Sequence, residues 1–347
     1  MSASKPTLGI TMGDPAGVGP EIIIKALSDP NVHEFCKPLV VGDAGVINKA
    51  SHIIGSDCNI HTVSSVGECV FKPGIINIFD LSNITEEQYE FGRISSHAGN
   101  AAFEAIRKAI YLAMEDSIDG TVTAPIHKES LNRAGHKFSG HTEIYAHYTK
   151  SEDVAMLLVE DVLKVVHVST HVALREACDL VTKERILTVI YLVDKACKDL
   201  GIKKPRIGVA GLNPHASDGG LFGFEEEQEI IPAVKKASVE GVDVQGPIAP
   251  DTLYPKAKGG FFDAVVAMYH DQGHIPFKME GFTWDKGSQL WNIIKGVNIT
   301  LGLPIVRTSV DHGTAFDIAG TGTANHISLI NAMEYAAQLA KRRIEKK

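Results

Sequence analysis

Three histidines follow runs of β-branched or small apolar residues, at points where a strand is expected to end. They are His171, His215 and His270. In open α/β sheets, ligands bind outside the carboxyl ends of the strands. Three imidazoles that converge at such an edge would hold a divalent metal ion and leave positions for substrate oxygens. The sequence therefore predicts a metal site with these histidines as ligands.

The alternative is that these are ordinary surface or core histidines, because the chain carries 15 of them. His167 and His171 also form an HxxxH pair, which on a helix would be a zinc-binding face. The flanking valine, serine and threonine residues favour a strand instead. We interpret His167 as structural.

Two glycine-rich segments are candidates for contact with a ligand. Residues 312–325 read HGTAFDIAGTGTAN, and residues 13–19 read GDPAGVG. Small residues let a backbone approach a flat ligand closely. The second segment lacks the Lys-Ser/Thr of a P-loop and the GxGxxG spacing, so it is interpreted as a tight functional turn. His127 and Lys128 either line a pocket or belong to a solvated loop; we favour the pocket.

Composition limits the classes of function. The chain has 347 residues, 44% of them hydrophobic, and a net charge of -8. This length suits one large or two medium α/β domains, and the negative charge argues against nucleic acid or an anionic membrane as partner. Five dispersed cysteines without a CxxC pair argue against a disulfide framework. With no signal peptide or long apolar run recognised, we expect a cytoplasmic enzyme without a membrane partner.

Strand-like and helix-like runs alternate along the chain, which indicates βα repetition with mainly parallel sheets. We expect a discontinuous α/β domain of residues 1–136 and 312–347. Residues 137–311 would form a second α/β domain that carries the metal-ligand histidines. The hinges are expected in the polar stretch 137–150 and near Asp311.

The 312–325 loop resembles the adenosine-binding loop of the β-hydroxyacid oxidative decarboxylases, the isocitrate and isopropylmalate dehydrogenase superfamily. Nearly the whole chain resembles the PdxA family of 4-hydroxythreonine-4-phosphate dehydrogenases. The words that carry this resemblance are GITMGDPAGVGPE (9–21), TAP (123–125), GHTE (140–143), LNPH (212–215), MYHDQG (268–273), GVNITLGLP (296–304) and RTSVDHGT (307–314). It implies a two-domain α/β/α architecture of the isocitrate/isopropylmalate dehydrogenase-like type, with the active-site cleft between the domains.

The resemblance also implies roles for individual residues. It assigns the metal to the same three histidines that the strand-end argument selects. The implied substrate contacts are His141, Thr142, Lys278, Asn298 and Arg307. The implied cofactor contacts are His312, Gly313, Thr314, Ala315 and Asn325. Asp251, Asp271 and Lys278 are the catalytic candidates, with Asp271 preferred as general base.

Within the family, three sequence motifs resemble those of the D-threonate or D-erythronate 4-phosphate dehydrogenases. They are HVSTHVALR (167–175), GGLFG (219–223) and HDQGHIP (270–276). The expected activity is oxidative decarboxylation of a four-carbon 3-hydroxy acid 4-phosphate to dihydroxyacetone phosphate, CO2 and NADH. The resemblance implies NAD, a divalent ion (Zn, Co, Mn, Ni or Mg) and a homodimer with a shared active site. No lysine or arginine occurs in 321–328 to meet a 2′-phosphate, which favours NAD over NADP.

Three alternatives remain open. One is the 4-phosphohydroxy-L-threonine dehydrogenase of vitamin B6 synthesis. Another is a phosphate acyltransferase, against which the histidine triplet argues, and the third is a catalytically silent NAD-binding protein. The segment Met279–Lys295, which carries Trp284 and Trp291, is longer than is usual in the family. It would cover the pocket or contribute to the dimer interface.

Overall fold

The structure is a computed structural model and describes residues 5–287 and 290–346. The chain divides into two compact units. Unit 1 comprises Met1–Glu152 and Leu303–Lys347, and unit 2 comprises Asp153–Gly302. Both are mixed α/β, as the alternating pattern predicts, and each has its own buried core.

Strands and helices follow one another along both units. In chain order the strands are β1 (Thr7–Thr11), β2 (Lys37–Gly42), β3 (Asn59–Val63), β4 (Ile75–Asp80), β5 (Gly120–Thr123), β6 (Ala155–Val159), β7 (Lys164–His167), β8 (Ile207–Ala210), β9 (Val244–Ile248), β10 (Ala264–Ala267), β11 (Phe282–Asp285), β12 (Leu290–Ile294), β13 (Val297–Leu301) and β14 (Arg307–Val310). The helices are α1 (Gly19–Leu27), α2 (Val32–Phe35), α3 (Ala44–Ile54), α4 (Ser96–Met114), α5 (Lys128–Arg133), α6 (His141–Thr149), α7 (Leu174–Asp179), α8 (Lys183–Asp199), α9 (Ile231–Val239), α10 (Pro250–Lys258), α11 (His270–Gly281) and α12 (Ile327–Lys346).

The sheet of unit 1 has the strand order β3-β4-β2-β1-β5-β14, and its strand pairs are parallel. Its central strands are continuous apolar or small-residue runs because both faces of a parallel sheet are covered. On β1, Leu8 and Ile10 are fully buried. Helix α4 contributes Phe103, Ile106 and Ile110 to the core of this unit. The sheet aligns the carboxyl ends of β1, β5 and β14.

The sheet of unit 2 has the order β13-β6-β7-β10-β8-β9. The sequence pattern predicts adjacent strands at 154–159 and 164–169 with a turn at Glu160 and Asp161, and this hairpin forms, with β6 antiparallel to β7. Strands β7, β10, β8 and β9 are parallel to their neighbours. The core contains Val165 of β7, Ala210 of β8 and Val265 of β10.

The unit boundaries differ from the predicted domain boundaries at 136/137 and 311/312. The polar stretch predicted as a hinge forms helix α6, whose Ile144 and Tyr145 are buried in the core of unit 1. Strand β14 pairs in parallel with β5, so Arg307 lies opposite Thr121 in the sheet of unit 1. The chain changes unit at residues 152/153 and 302/303 instead. The polarity of 137–150 reflects the outer face of a helix.

Two other segments have ends set by local geometry. Strand β13 ends at Leu301, before Gly302 with φ 87°, where a Cβ would lie on a backbone carbonyl oxygen. The sequence pattern predicts one helix over 225–238, and this segment begins with a π-helical turn, Glu226–Ile230, ahead of α9. Within the long segment Met279–Lys295, β11 pairs antiparallel with β12. The side chains of Trp284 and Trp291, like residues 288–289, lie outside the described part, so the predicted role of this segment stays a prediction.

Among the residues that the structure describes, no helix has both the length and the apolar character needed to cross a membrane.

Candidate active site

The three predicted metal-ligand histidines follow neighbouring parallel strands of unit 2. Strand β10 lies between β7 and β8, and its Ala267 is opposite His167. Because the three strands run in the same direction, their carboxyl ends meet at one edge of the sheet. His171 follows β7, His215 follows β8 and His270 begins α11 after β10. We call these three residues the strand-end group.

His171 and His270 lie close together in this group. Their ring centroids are 5.7 Å apart. Nδ1 of His270 and Oδ1 of Asp271 are 2.7 Å apart. A carboxylate only accepts, so Nδ1 carries a proton in this contact, and in the neutral ring Nε2 holds the lone pair. A carboxylate that orients an imidazole in this way is typical of metal-binding histidines.

A fourth histidine, His274, supports His270 from one helical turn further along α11. The two rings stack at 3.6 Å between centroids with an interplanar angle of 11°. Burial lowers the pKa of His274 to about 4 and that of His167 to about 3, so both imidazoles are neutral near pH 7. His167 is 1% exposed, as expected of a structural residue. Sequence reasoning missed His274, although its i+4 spacing from His270 was a usable signal.

His215 lies in a strained turn that follows β8. His215, Ala216, Ser217 and Asp218 all have positive φ, between 49° and 67°. Non-glycine residues adopt this conformation at a cost of order 1 kcal/mol each, and such strain is typical of functional loops. His171 also has a positive φ, 47°. Across residues 5–287 and 290–346, no set of three or more His, Cys, Asp or Glu side chains is arranged to hold a metal ion.

The donors in the strand-end group suit a borderline divalent ion, since they are imidazoles, one of them oriented by a carboxylate. The structure brings His171 and His270 together and does not bring His215 into a three-ligand group. Asp251, the next catalytic candidate, is exposed in the first turn of α10. The two imidazoles of His171 and His270 are suitable donors for a metal ion. That His215 is the third ligand stays a prediction.

The other predicted substrate contacts of unit 2 lie on α11 and β13. Lys278 is in the last turn of α11, with Nζ 4.8 Å from the ring centroid of Phe282. Asn298 lies opposite Leu158 in the β13–β6 pair. Its Oδ1 is buried and has no hydrogen-bond partner among the described residues. A buried amide oxygen in this state is a candidate acceptor for a ligand donor.

Arg307 is a buried cation on β14 of unit 1. Its side chain is 2% exposed, and Nη2 donates to Oγ1 of Thr123 at 2.8 Å. The guanidinium lies 5.7 Å from the ring centroid of Tyr145. Burial lowers the pKa of Arg307 to about 10, which still leaves the group charged at neutral pH. A planar buried guanidinium is suited to binding a phosphate or carboxylate.

His141 and Thr142 begin helix α6 next to this cation. The N-cap of this helix is Gly140, and His141 is the first helical residue. Nε2 of His141 is buried without a hydrogen-bond partner among the described residues. Burial, and then the charge of Arg307, hold the pKa of His141 well below its usual range. A neutral imidazole beside a guanidinium at a helix N-terminus makes an environment that favours an anion.

The 312–325 loop packs on the glycine-rich turn at residues 13–19. The carbonyl of Thr314 accepts the Val18 N–H at 3.0 Å. Gly313 is exposed, and a Cβ there would have nothing within 4 Å. At position 320, in contrast, the fold itself requires glycine, since φ is 82° and a Cβ would lie 2.6 Å from the ring of Phe91. The loop's small residues therefore serve packing in part, and only some can serve a flat ligand.

The remaining predicted cofactor residues have local partners. His312 is half-buried, with Nδ1 2.9 Å from the Gly313 carbonyl oxygen. Ala315 has a positive φ of 44°. Asn325 is exposed, and its Oδ1 accepts the Ile327 N–H at 2.8 Å where α12 begins. Together with Thr314 these residues form one continuous loop in unit 1.

The turn at residues 13–19 is built tightly, as a functional turn would be. Asp14 is fully buried, accepts the Ala16 N–H at 2.9 Å, and burial raises its carboxyl pKa. A Cβ on Gly13 would lie 2.5 Å from the Pro125 carbonyl oxygen. His127 stacks on Phe316 with 4.6 Å between centroids and accepts the Ser130 N–H at the start of α5. The turn thus links the TAP segment to the 312–325 loop.

Comparisons with known proteins agree with the family resemblance that the sequence motifs indicate. The model of the family "Pyridoxal phosphate biosynthetic protein PdxA" matches residues 34–336. A protein of Cupriavidus necator named D-threonate 4-phosphate dehydrogenase is 46% identical over 99% of this chain and 100% of its own. One of Salmonella typhimurium with the same name is 46% identical over 96% of this chain and 99% of its own.

A solved structure, the 4-hydroxythreonine-4-phosphate dehydrogenase of Klebsiella pneumoniae, has the same fold. It has a TM-score of 0.84 at 41% identity, and the alignment covers 98% of this chain and 100% of that one. A family model that spans most of the chain and relatives above 40% identity over nearly the full length together show the family. The chain therefore belongs to the PdxA family and is a dehydrogenase.

Proposed function

We propose that the chain catalyses the NAD- and divalent-metal-dependent oxidative decarboxylation of D-threonate 4-phosphate or D-erythronate 4-phosphate. The products would be dihydroxyacetone phosphate, CO2 and NADH. The names of the relatives at 46% identity support the substrate class. The observation in the chain itself that carries the proposal is the buried Arg307 beside a neutral His141 at the N-terminus of α6. That arrangement suits the phosphate or the carboxylate of such a substrate.

The proposed reaction balances in atoms and electrons. The C3 hydroxyl gives its proton to a base. The hydrogen bonded to C3 passes as hydride to NAD, which leaves a 3-oxo acid. The bond between C1 and C2 then breaks, CO2 departs, and its electron pair stays on C2, which takes up a proton. A bound divalent ion would supply Lewis-acid polarisation of substrate oxygens. For the proton transfers, the candidate groups of unit 2 are Asp271, Asp251 and Lys278.

Each predicted contact has a proposed role. Arg307, His141 and Thr142 hold an anionic group of the substrate. Asn298 and Lys278 bind its hydroxyl and anionic oxygens through an amide and a point charge. The strand-end group of His171, His215 and His270 holds the ion, which we propose to be Zn, Co, Mn, Ni or Mg. His312, Gly313, Thr314, Ala315 and Asn325 contact the adenosine part of NAD.

The active assembly in this proposal is a homodimer with a shared active site. Its support is the exposed apolar surface of unit 2. Leu174 is 62% exposed, Leu221 71% and Met279 80%. Large apolar side chains that are this exposed are candidates for burial against a partner.

A substrate panel tests the proposed activity. Purified protein is assayed for NADH formation with D-threonate 4-phosphate, D-erythronate 4-phosphate and 4-phosphohydroxy-L-threonine, each with NAD and with NADP. Each assay is repeated after treatment with a chelator and after adding back single metals. We expect turnover of a four-carbon sugar-acid phosphate with NAD, loss of activity on chelation, and dihydroxyacetone phosphate as product.

The panel also decides between the two candidate activities. Turnover confined to 4-phosphohydroxy-L-threonine would replace the proposal with the activity named for the Klebsiella pneumoniae structure. Full activity after exhaustive chelation would overturn the metal requirement. Preference for NADP would contradict the assignment of NAD.

A further inference from the structure

Helix α1 of unit 1 is bound to the 312–325 loop by a side chain that sequence reasoning did not select. Glu21, in the first turn of α1, is 1% exposed. Its Oε1 accepts the Gly320 N–H at 2.5 Å, and its Oε2 accepts the Gly322 N–H at 2.6 Å. Hydrogen bonds to a buried carboxylate are about twice as strong as neutral ones. Glu21 therefore fixes the middle of the loop.

A second side chain from the same face of α1 fixes the loop's end. Lys25, four residues after Glu21, donates from Nζ to the Ala324 carbonyl oxygen at 2.8 Å. Residues at this spacing lie on one face of a helix. Just before the helix, the Val18 N–H donates to the Thr314 carbonyl oxygen at 3.0 Å. Helix α1 and its N-cap thus hold the loop at its start, middle and end.

The Glu21 contact also changes what the glycines of the loop can bind. Gly320 and Gly322 have φ values of 82° and 69°, which glycine adopts without strain. Successive backbone N–H groups in such turns often form a concave anion site. In this loop the carboxylate of Glu21 already occupies the anion position and accepts both of these N–H groups. The loop is then not a phosphate cradle, and its contacts with a nucleotide come from its other groups.

We infer that Glu21 and Lys25 are positioning residues that hold the 312–325 loop in its nucleotide-binding conformation before NAD arrives. This inference rests on the proposed function, in which that loop contacts the adenosine part of NAD. A loop already ordered in the free protein loses less conformational entropy on binding. Glu21 and Lys25 act through the loop and set NAD affinity more than the chemical step.

The test variant is Glu21→Gln, and the matched control is Glu34→Gln, the same change at an exposed residue of α2. A glutamine keeps one acceptor but turns an N–H2 group towards the second glycine amide. Hydrogen exchange of peptides covering 312–325 is measured without nucleotide, so that the readout is independent of catalysis. We expect exchange at Gly320 and Gly322 to become about tenfold faster or more.

The second readout is NAD binding, by fluorescence titration and by steady-state kinetics. In Glu21→Gln we expect the Kd and KM for NAD to rise about tenfold, with kcat at saturating NAD within about twofold of the parent. Glu34→Gln should match the parent in both readouts. Unchanged exchange at the two glycines would overturn the positioning role. Faster exchange with unchanged NAD affinity would instead remove the loop from the nucleotide site, which contradicts the proposed function.

A Lys25→Met variant keeps the inference testable if Glu21→Gln does not fold. It removes the bond to the Ala324 carbonyl and leaves both glycine bonds. We expect faster exchange near residue 324 and an equal proportional loss of affinity for NAD and NADP. A loss confined to NADP would show that Lys25 reads a 2′-phosphate directly, which would overturn its positioning role.

Discussion

The imidazole of His270 is held from two sides. Asp271 accepts a hydrogen bond from Nδ1–H at 2.7 Å, and His274 stacks on the ring at 3.6 Å. Both contacts act on orientation and tautomer, which decide whether Nε2 can serve as a metal ligand. The side chain of Asp271 is 71% exposed, so it also has an oxygen in contact with solvent. The geometry thus favours an orienting role for the residue that the sequence offered as general base.

Changing Asp271 to Asn separates these two roles. If Asp271 orients His270, we expect metal affinity to fall by about 10- to 100-fold, while kcat at saturating metal stays within a few-fold of the parent. Titration with Co(II), followed by absorbance, measures the affinity. Asp179→Asn, at an exposed aspartate at the end of α7, is the control. An unchanged metal affinity with a large loss of kcat would identify Asp271 as the base itself.

Single residues were predictable from sequence where a local pattern marked them. His171, His215 and His270 could be selected because each follows an apolar run, and the structure places all three after adjacent parallel strands. The partners of Arg307 could not be selected, because Thr123 is 184 residues away in the chain. Tyr145 and Thr123 are unremarkable residue types whose role comes only from that proximity.

At the scale of elements, helix α11 packs on strand β7 so closely that only glycine fits at position 273. A Cβ there would lie 2.3 Å from Nε2 of His167. The imidazole of His167 is enclosed between these two elements, and its Nε2 has no hydrogen-bond partner among the described residues. A proton on this ring would be a buried charge without compensation, so the packing of α11 on β7 depends on a neutral His167.

This packing predicts a stability that depends on pH. The pKa of His167 is lowered to about 3 in the folded protein, against about 6.5 when unfolded. Below pH ~6.5 the unfolded chain therefore binds more protons than the folded one. Stability is present above that pH and falls as pH drops, by up to about 1.4 kcal/mol per pH unit for this group.

Urea unfolding at pH 7.5, 6.5 and 5.5, with a chelator present, measures this dependence. A His167→Gln variant should be less stable at pH 7.5 but lose less stability on acidification than the parent. His97→Gln, at an exposed histidine of α4, should keep the parent's slope. Equal slopes in His167→Gln and the parent would contradict the assignment of the acid sensitivity to this residue.

Element types were largely predictable, and their ends were less so. The sequence pattern predicts a strand over 7–12 and helices over 98–114 and 182–200. Strand β1, helix α4 and helix α8 match these segments to within two residues, because their apolar periodicity and N-caps are local. The stretch 137–150 was predicted as a hinge, since the polar outer face of helix α6 hides the two core residues Ile144 and Tyr145. Their burial depends on the core of unit 1, which no local pattern reports.

At the scale of the whole molecule, the distribution of apolar surface bears on assembly. Leu174, Leu221 and Met279 are exposed on unit 2. Their burial in a symmetric interface would remove apolar area from water, which is the main driving force of stable association. The proposed homodimer explains why a chain with a net charge of -8 retains such side chains at its surface.

Sedimentation velocity of the purified protein at micromolar concentration tests this assembly. We expect a species of twice the chain mass of 37.4 kDa. A Leu221→Glu, Met279→Glu double variant should shift the population towards monomer, because a charge in an apolar interface is costly. The matched control is Val239→Glu, which places the same charge at the exposed end of α9. A monomeric parent, or a dimer unaffected by the double variant, would contradict the assignment of this surface.

The sequence by itself determined the α/β class, the family, and the histidines that follow β7, β8 and β10. These depend on local periodicity and on motifs of consecutive residues. Only the tertiary structure decided where the units divide and which side chains support the predicted ones. Glu21 meets Gly320 across 299 residues of chain, and His274 meets His270 face to face only after α11 has formed. Such contacts arise from the packing of distant segments, and packing is cooperative over the whole core, so no short stretch of sequence encodes it.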